Sequence, residues 1–558
     1  MNIKNNKLFE ILLVVFISSI SFVLITGGTI INFNNIDWLF GASTITSDSE
    51  QHYIAWLFFK NSEILQFPFF KNYAYGMEIS SSLIHADSVP IMAMFFKFFK
   101  SFLPFHFQYF GLWIYISFVL QGIFSYFLIR RFTKSLIVIS ICVGFFIISP
   151  ILTYRLFWSH EALFGQWILL FAIYLYFENY NLKKWLLIVL ISLLVHPYFF
   201  AMASGIFLAT LIKEYKLKRK GLNDILLNFA SYVSLALFLQ VIFGYYAIGF
   251  NFLTSGYDFF KANANTFIDP SPGWGIDASR ILPNLYTPPP TESGDYEGFA
   301  FLGIGPLLIL SYLFIAYLFN KIKIKINLEA KILAYLGLLF FIYALSNKIS
   351  FSEYRLISFG IPPIIDFITE TFRVSGRFTW PTVYLIYLAI FIALIKNTKK
   401  STTIGILSIC FILQIWDMYP YHSNLRNKLE KPSLWWKDSN RKSKYTLKEQ
   451  SWDNIGKQYK KLYYIYPHYA PENFVKLSIF ASKYKMNVNF GYFARIDKNK
   501  ASSIKKELRE SILNNTLEKD AIYYINDKEI LELVQKNQSQ YNLITIEDDL
   551  QFIVPNKE

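Results

Sequence analysis

The sequence predicts a mainly α fold, a polytopic transmembrane helical module followed by a C-terminal extracytoplasmic α/β domain. Three observations predict it. Of the 558 residues, 54% are hydrophobic and only 17% charged, against about a quarter charged in soluble domains. The apolar residues gather in runs of roughly 15–25, the length that crosses a bilayer. The last part of the chain, from about residue 420, drops this pattern for a short-period alternation of strand-like and helix-like segments.

The apolar runs 8–31, 104–129, 135–150, 161–177, 184–196, 197–212, 224–247, 299–319, 330–346, 378–395 and 402–418 give about eleven spans. The first is too long for a signal-peptide core and lacks a small-residue cleavage site, so it reads as a retained anchor. The pair around His196-Pro197 reads as a tight hairpin or one kinked segment. Residues 88–100 are apolar but carry Lys97 and Lys100, the pattern of an interfacial or re-entrant helix with snorkelling lysines.

Basic residues fix the orientation. Lys4/Lys7, Arg130/Arg131/Lys134, Lys183/Lys184, Lys213–Lys220, Lys321/Lys323/Lys325 and Lys396/Lys399/Lys400 all fall in one set of alternate loops. The positive-inside rule therefore places the N-terminus in the cytoplasm and, with an odd number of spans, the tail outside. The formal charge of +15 is thus an attribute of short loops, which argues for the lipid bilayer and against nucleic acid as partner. Cys142 and Cys410 both lie inside apolar runs, so no disulfide framework and no thiolate metal site is expected.

The domain division follows: 1–419 as membrane module, with long external loops 32–88, 251–298 and 347–377, and 420–558 as a soluble α/β domain. In the tail, Lys461–Tyr466, Ala521–Ile525, Tyr541–Ile546 and Leu550–Val554 read as strands. Glu472–Lys485, Ala501–Asn514 and Lys528–Lys536 read as helices. About 140 residues suffice to bury a core. The tail shows no Gly-rich phosphate loop and no nucleophile triad, so recognition or packing is its expected role.

Polar residues collect in the external loops. Asp48 and Glu50, two apart and followed by His52, supply hard oxygen ligands for a divalent cation such as Mg or Mn, or a general base toward a hydroxyl. The bland alternative, two solvated acids, has even weight for so short a motif. His85 and Asp87 stand just before the 88–100 stretch. Asp87 is expected to cap a helix starting near Val89-Pro90, which leaves room for a catalytic role. His160 and Glu161 sit where the chain re-enters the membrane and need partners; Arg155 can pair with Glu161 and leave His160 in water. His196 stands at an external turn. The long loop rich in Pro, Gly and aromatics, including Pro270–Trp274 and Thr287–Pro290, ends at Glu297 and reads as a lid or binding loop. Arg373 and Arg377, four apart at the entry to a span, suit a phosphate, with plain headgroup anchoring as the alternative.

At these residues the chain resembles the GT-C superfamily of membrane glycosyltransferases. Asp48 and Glu50 occupy the place of that family's first-loop carboxylates. His160 and Glu161 stand where oligosaccharyltransferase-like members carry further acidic metal ligands, and Arg373 and Arg377 where a later loop neutralises a lipid phosphate. The runs Asp48–Trp56, His85–Pro90, Phe107–Gly111, His160–Leu163, Tyr296–Gly298, Arg373–Arg377 and Asn489–Arg495 also resemble an uncharacterised family of bacterial polytopic membrane proteins. The resemblance implies transfer of a sugar from a polyprenyl-phosphate donor to a cell-envelope glycan, lipid or protein at the external face of the bacterial cytoplasmic membrane. In that reading Asp48, Glu50 and Asp87 are catalytic. His52, His85, His160, Glu161, His196, Glu297, Arg373 and Arg377 bind substrate, and Asp48, Glu50, His160 and Glu161 are the residues for a metal. One departure is the absence of a compact Asp-x-Asp. The competing functions are a transporter or flippase of a lipid-linked saccharide, which would want mid-span charges or an inverted repeat, and a non-catalytic envelope assembly protein.

Overall fold

Each predicted apolar run contains a helix, which pairs its own backbone groups. This is seen in a computed structural model, which describes residues 3–43, 47–249, 255–271, 276–285, 294–323, 325–446, 451–465, 472–493, 496–536, 542–546 and 550–555. Pro272–Trp274, Thr287–Pro290 and Ala494-Arg495, all named above, lie outside the described residues.

Among the described residues seven helical stretches are long and apolar enough to cross a membrane. They are Lys7–Thr26, Phe110–Arg130, Leu136–Phe157, Leu222–Phe243, Leu328–Leu345, Ser375–Asn397 and Lys400–Glu430. Ala162–Phe177 and Ile304–Leu318 are apolar but shorter. The number falls below the expected eleven partly because the helices within 161–177, 184–196 and 299–319 have fewer than eighteen residues. His196 is extended (φ −164°, ψ 136°) and Pro197 opens a new helix, as proline does at a first turn. The helices Leu182–Val195 and Pro197–Lys216 pack on each other, which settles the His196-Pro197 pair as a hairpin. Pro150 likewise opens a separate helix, Pro150–Phe157, at the end of Leu136–Ile147. That extra turn carries Arg155.

The chain divides into two compact units. One comprises 1–31, 110–236 and 253–430; the other comprises 32–109, 237–252 and 431–558. The first is the helical bundle, with one antiparallel hairpin of β1 (Lys348–Phe351) and β2 (Tyr354–Ser358).

The second unit contains a five-stranded sheet of β3 (Lys461–Tyr464), β4 (Asn487–Val488), β5 (Ala521–Tyr524), β6 (Asn542–Ile546) and β7 (Leu550–Val554), in the order β4-β3-β5-β7-β6. β4, β3 and β5 are parallel, and β7 is antiparallel to both β5 and β6. Helices Phe474–Lys483 and Lys498–Leu513 make the crossovers that parallel strands require. Tyr463, Ile512, Tyr523, Ile530, Val534 and Ile553 form the core. Ile530 and Val534, four apart on helix Lys528–Lys536, meet it as one stripe.

The tail does not stand alone in this unit. Residues 32–109, of which 32–88 read from sequence as an external loop of the membrane module, belong to the same compact body. Backbone bonds join them: Gly76 N–H donates to the Val488 carbonyl at 2.7 Å and Val488 N–H to the Ala74 carbonyl at 2.9 Å. Gly76 has φ +99°, and a Cβ there would meet the Phe493 ring and the Ser80 backbone, so only glycine sits there without strain.

Candidate functional site

In the helical unit, three short segments far apart in sequence converge on one carboxylate. Arg155 comes from helix Pro150–Phe157, Glu297 from the short helical turn Asp295–Gly298, and Arg377 from the turn Ser375–Phe378. Arg155 Nη1 donates to Glu297 Oε2 at 2.6 Å and its Nη2 to the Glu297 carbonyl at 3.0 Å. Arg377 forms the bidentate pair, Nε to Oε2 at 3.1 Å and Nη2 to Oε1 at 2.8 Å. All three residues are buried.

Two glycines permit this approach. A Cβ on Gly376 would stand 2.5 Å from Gly298 Cα, and one on Gly298 would strike the backbone of Lys261 and Ala262. Gly376 N–H also donates to the Phe260 carbonyl at 3.0 Å. The glycines of the Tyr296–Gly298 and Arg373–Arg377 motifs thus bring the charges of those motifs within reach of each other.

Burial alone pushes the Glu297 carboxyl up, but Arg377, Arg155 and His160 outweigh it and hold it well below the usual carboxylate range. Aromatic rings complete the shell: the Arg155 guanidinium lies 4.9 Å from the ring centres of Tyr154 and Trp380, and that of Arg377 5.0 Å from Tyr198. His196 reaches the site indirectly. Its Nδ1 accepts from Tyr198 N–H at 3.2 Å, and the Tyr198 hydroxyl accepts from Val374 N–H at 2.8 Å. Next to the cluster Lys261 pairs with Asp295 at 2.9 Å.

Arg373 differs from Arg377. It is only half-buried, its Nη1 donating to the Ser255 carbonyl at 3.4 Å and its guanidinium 5.5 Å from the Phe260 ring centre. Among the described residues it has no carboxylate partner. The alternative of an Arg155–Glu161 pair gives way to Arg155–Glu297, because the turn at Glu297 packs directly against the arginine. Glu161 is buried and its carbonyl accepts from Trp113 Nε1 at 2.8 Å. His160 is buried too.

Sequence reasoning passed over Asp417, which anchors the long loop. Its Oδ1 accepts from Ser279 Oγ at 2.8 Å and from the N–H groups of Arg280 and Ile281, both at 2.9 Å. Nothing in the sequence marks it beyond an acid late in an apolar helix. Asp417→Ala is expected to cost about 2–3 kcal/mol by stranding these donors. Faster protease cleavage within 255–298 would register it, and a wild-type cleavage rate would contradict it.

The other unit holds the remaining candidates. Asp48 opens helix Asp48–Asn61 and Glu50 lies in its first turn, where the helix dipole favours both carboxylates. Asp48 is half-buried and shares a helix face with His52, four residues on. Glu50 is fully buried: its Oε1 accepts from Gly41 N–H at 2.7 Å and pairs with Lys444 at 2.9 Å. Burial raises its carboxyl above the ordinary value despite Lys444 and the backbone donors.

Asp87 does not cap the following helix. The cap position is Val89, and Asp87 and Val89 both take left-handed φ values, 48° and 49°. Ser88 Oγ instead donates to the His52 carbonyl at 2.8 Å, tying this turn to the helix of Asp48. His85 faces the Tyr245 carbonyl, Nε2 to O 3.0 Å, and lines a crevice with Asn72, Ser81, Ser82 and Tyr492.

The proposed metal residues divide between units, Asp48 and Glu50 in one, His160 and Glu161 in the other. Among the described residues no three His, Cys, Asp or Glu side chains gather as a metal site. No curated protein and no solved structure matches the chain. Residues 15–419 match the Domain of unknown function DUF6311, and residues 451–555 match the DUF6311 C-terminal domain. With most of its length covered by these two matches, the chain belongs to the DUF6311 family.

Proposed function

We propose that this chain is a GT-C-like glycosyltransferase that moves a sugar from a polyprenyl-phosphate donor to a cell-envelope glycan, lipid or protein. The observation that carries the reading is the excess of guanidinium at one end of the helical bundle. Arg155 and Arg377 share a single carboxylate, and Arg373, half-buried beside the loop at Ser255, has none among the described residues. An uncompensated arginine at the edge of spanning helices suits a lipid phosphate. The basic loops at the opposite ends of the spans support a reading in which this end lies outside the cytoplasm.

The roles divide as follows. Asp48 takes the proton of the acceptor hydroxyl as its oxygen attacks the anomeric carbon. The bond from that carbon to the phosphate oxygen breaks, with inversion, and the leaving polyprenyl phosphate keeps the electron pair. Arg373 stabilises that charge, while Arg155, Arg377 and Glu297 hold the loops that present Arg373. Glu50 is held through Oε1 by Lys444 and Gly41, and no step is routed through a divalent cation.

The test compares cell-surface glycans by mass spectrometry in a knockout complemented with wild type, Asp48→Ala or Arg373→Ala. Both variants are expected to lose product by on the order of 10²-fold or more, at normal protein levels. A flippase would tolerate Asp48→Ala, and unchanged glycans in the knockout itself would remove the enzymatic reading.

A further inference from the structure

A second cationic cluster lies in the other unit, away from every residue given a role above. Helix Asp48–Asn61 ends at Ser62, and helix Pro90–Lys97 packs beside it. Lys97 Nζ donates to Ser62 Oγ at 2.7 Å and stands 3.8 Å from the Phe59 ring centre. Lys100 Nζ donates to the carbonyl of the same serine at 2.6 Å. On the same helix, Lys60 Nζ donates to the carbonyls of Pro104 and Phe105 at 3.1 and 2.9 Å. Lys60 and Lys97 are buried. Among the described residues none of the three has a carboxylate within ion-pairing distance.

Two ammonium groups on one serine repel each other, and Lys97 is costly to bury without an ion pair. Burial and Lys100 lower Lys97 to about 7 against the opposite pull of the exposed Glu63 carboxylate, and burial lowers Lys60 to about 8. An anion between Lys97 and Lys100 would lower that penalty. The surroundings say what kind. Leu65 is 80% exposed and Phe102 87%, and Phe67, Phe95, Phe98 and Phe99 are exposed as well. Water is a poor solvent for such a patch, whereas acyl chains fit it and lysines at its edge reach headgroups.

We propose that Ser62, Lys97 and Lys100 dock the phosphate of an anionic phospholipid, whose acyl chains lie along the Leu65/Phe67 and Phe95–Phe102 rims. This claim is independent of the glycosyl-transfer reading.

The full-length protein in detergent is titrated with phosphatidylglycerol or phosphatidylcholine and bound lipid is counted by native mass spectrometry. Wild type is expected to retain phosphatidylglycerol preferentially. Lys97→Gln/Lys100→Gln should weaken it about five-fold per lysine, while the exposed pair Lys506→Gln/Lys528→Gln leaves it unchanged. Because Lys97 is buried, Lys100→Gln alone and a labelled Phe102→Cys provide a second reading. Cys142 and Cys410 are buried, so an environment-sensitive dye goes to position 102. It should shift to the blue in phosphatidylglycerol vesicles and be quenched by spin-labelled acyl chains. Retention equal to wild type in the double variant, displacement of the lipid by inorganic phosphate, or an aqueous spectrum at position 102 would each overturn the proposal.

Discussion

Glu297→Gln is expected to lower the stability of the purified protein by about 3–5 kcal/mol, the cost of stranding a buried charge. Here two guanidiniums lose their counter-ion at once, since Arg155 and Arg377 both end on this carboxylate. Glutamine keeps the shape and one acceptor, so the loss reads the charge rather than a cavity. Thermal unfolding in detergent or nanodiscs measures it.

The same carboxylate predicts a pH profile. Its folded pKa lies below its unfolded value, so the unfolded state binds the proton first and the pairing stabilises the fold at higher pH. That contribution is fully present above about pH 4.3, the ordinary glutamate value. It is lost as pH falls toward the depressed folded value. Wild type should therefore show an acid-side loss of stability that is shallower in Glu297→Gln. Equal acid limbs in the two proteins would refute the assignment of this charge.

Gly376→Ala should be nearly as damaging through geometry alone. Its added methyl would lie 2.5 Å from Gly298 Cα and 2.6 Å from Gly298 N. Both are backbone atoms, so no side chain can swing away, and the two turns must separate. About 2–3 kcal/mol is expected from the overpacking, together with a weakened Arg377–Glu297 pair. Gly405→Ala supplies the control: that glycine lies in helix Lys400–Glu430 with open space where its Cβ would stand. There alanine should be neutral or stabilising by up to about 1 kcal/mol. If Gly376→Ala matched Gly405→Ala, the close approach of the two turns would not matter.

Glu297→Gln and Gly376→Ala test the scaffold, and Arg373→Ala tests function. Arg377 and Glu297 act on folding, while Arg373, lacking a carboxylate partner among the described residues, is expected to affect transfer with stability kept. Loss of folding in Arg373→Ala would move it into the scaffold.

Much of this molecule is legible in sequence because its signals are local. Apolar run length marks the helices, Pro150 and Pro197 mark where new ones begin, and alternating short segments mark the strands of the tail. The candidate residues Glu297, Arg373 and Arg377 could be named from their place beside spans. Their partners could not. Arg155 had Glu161 six positions away, yet it bonds Glu297, 142 positions away, and Arg377 reaches that carboxylate across 80. Coulomb attraction does not count residues along the chain; it selects whichever carboxylate the packing brings near, and here glycine contacts between turns decide that. The same reason joins residues 32–109 to the tail through bonds such as Gly76 to Val488. Sequence by itself determined a mainly helical chain with spanning segments, a small α/β region and a set of polar residues at the ends of spans. Tertiary structure alone decided which charges neutralise one another and which arginine is left without a carboxylate among the described residues. Pairing is a property of distance in space, and local periodicity does not encode it.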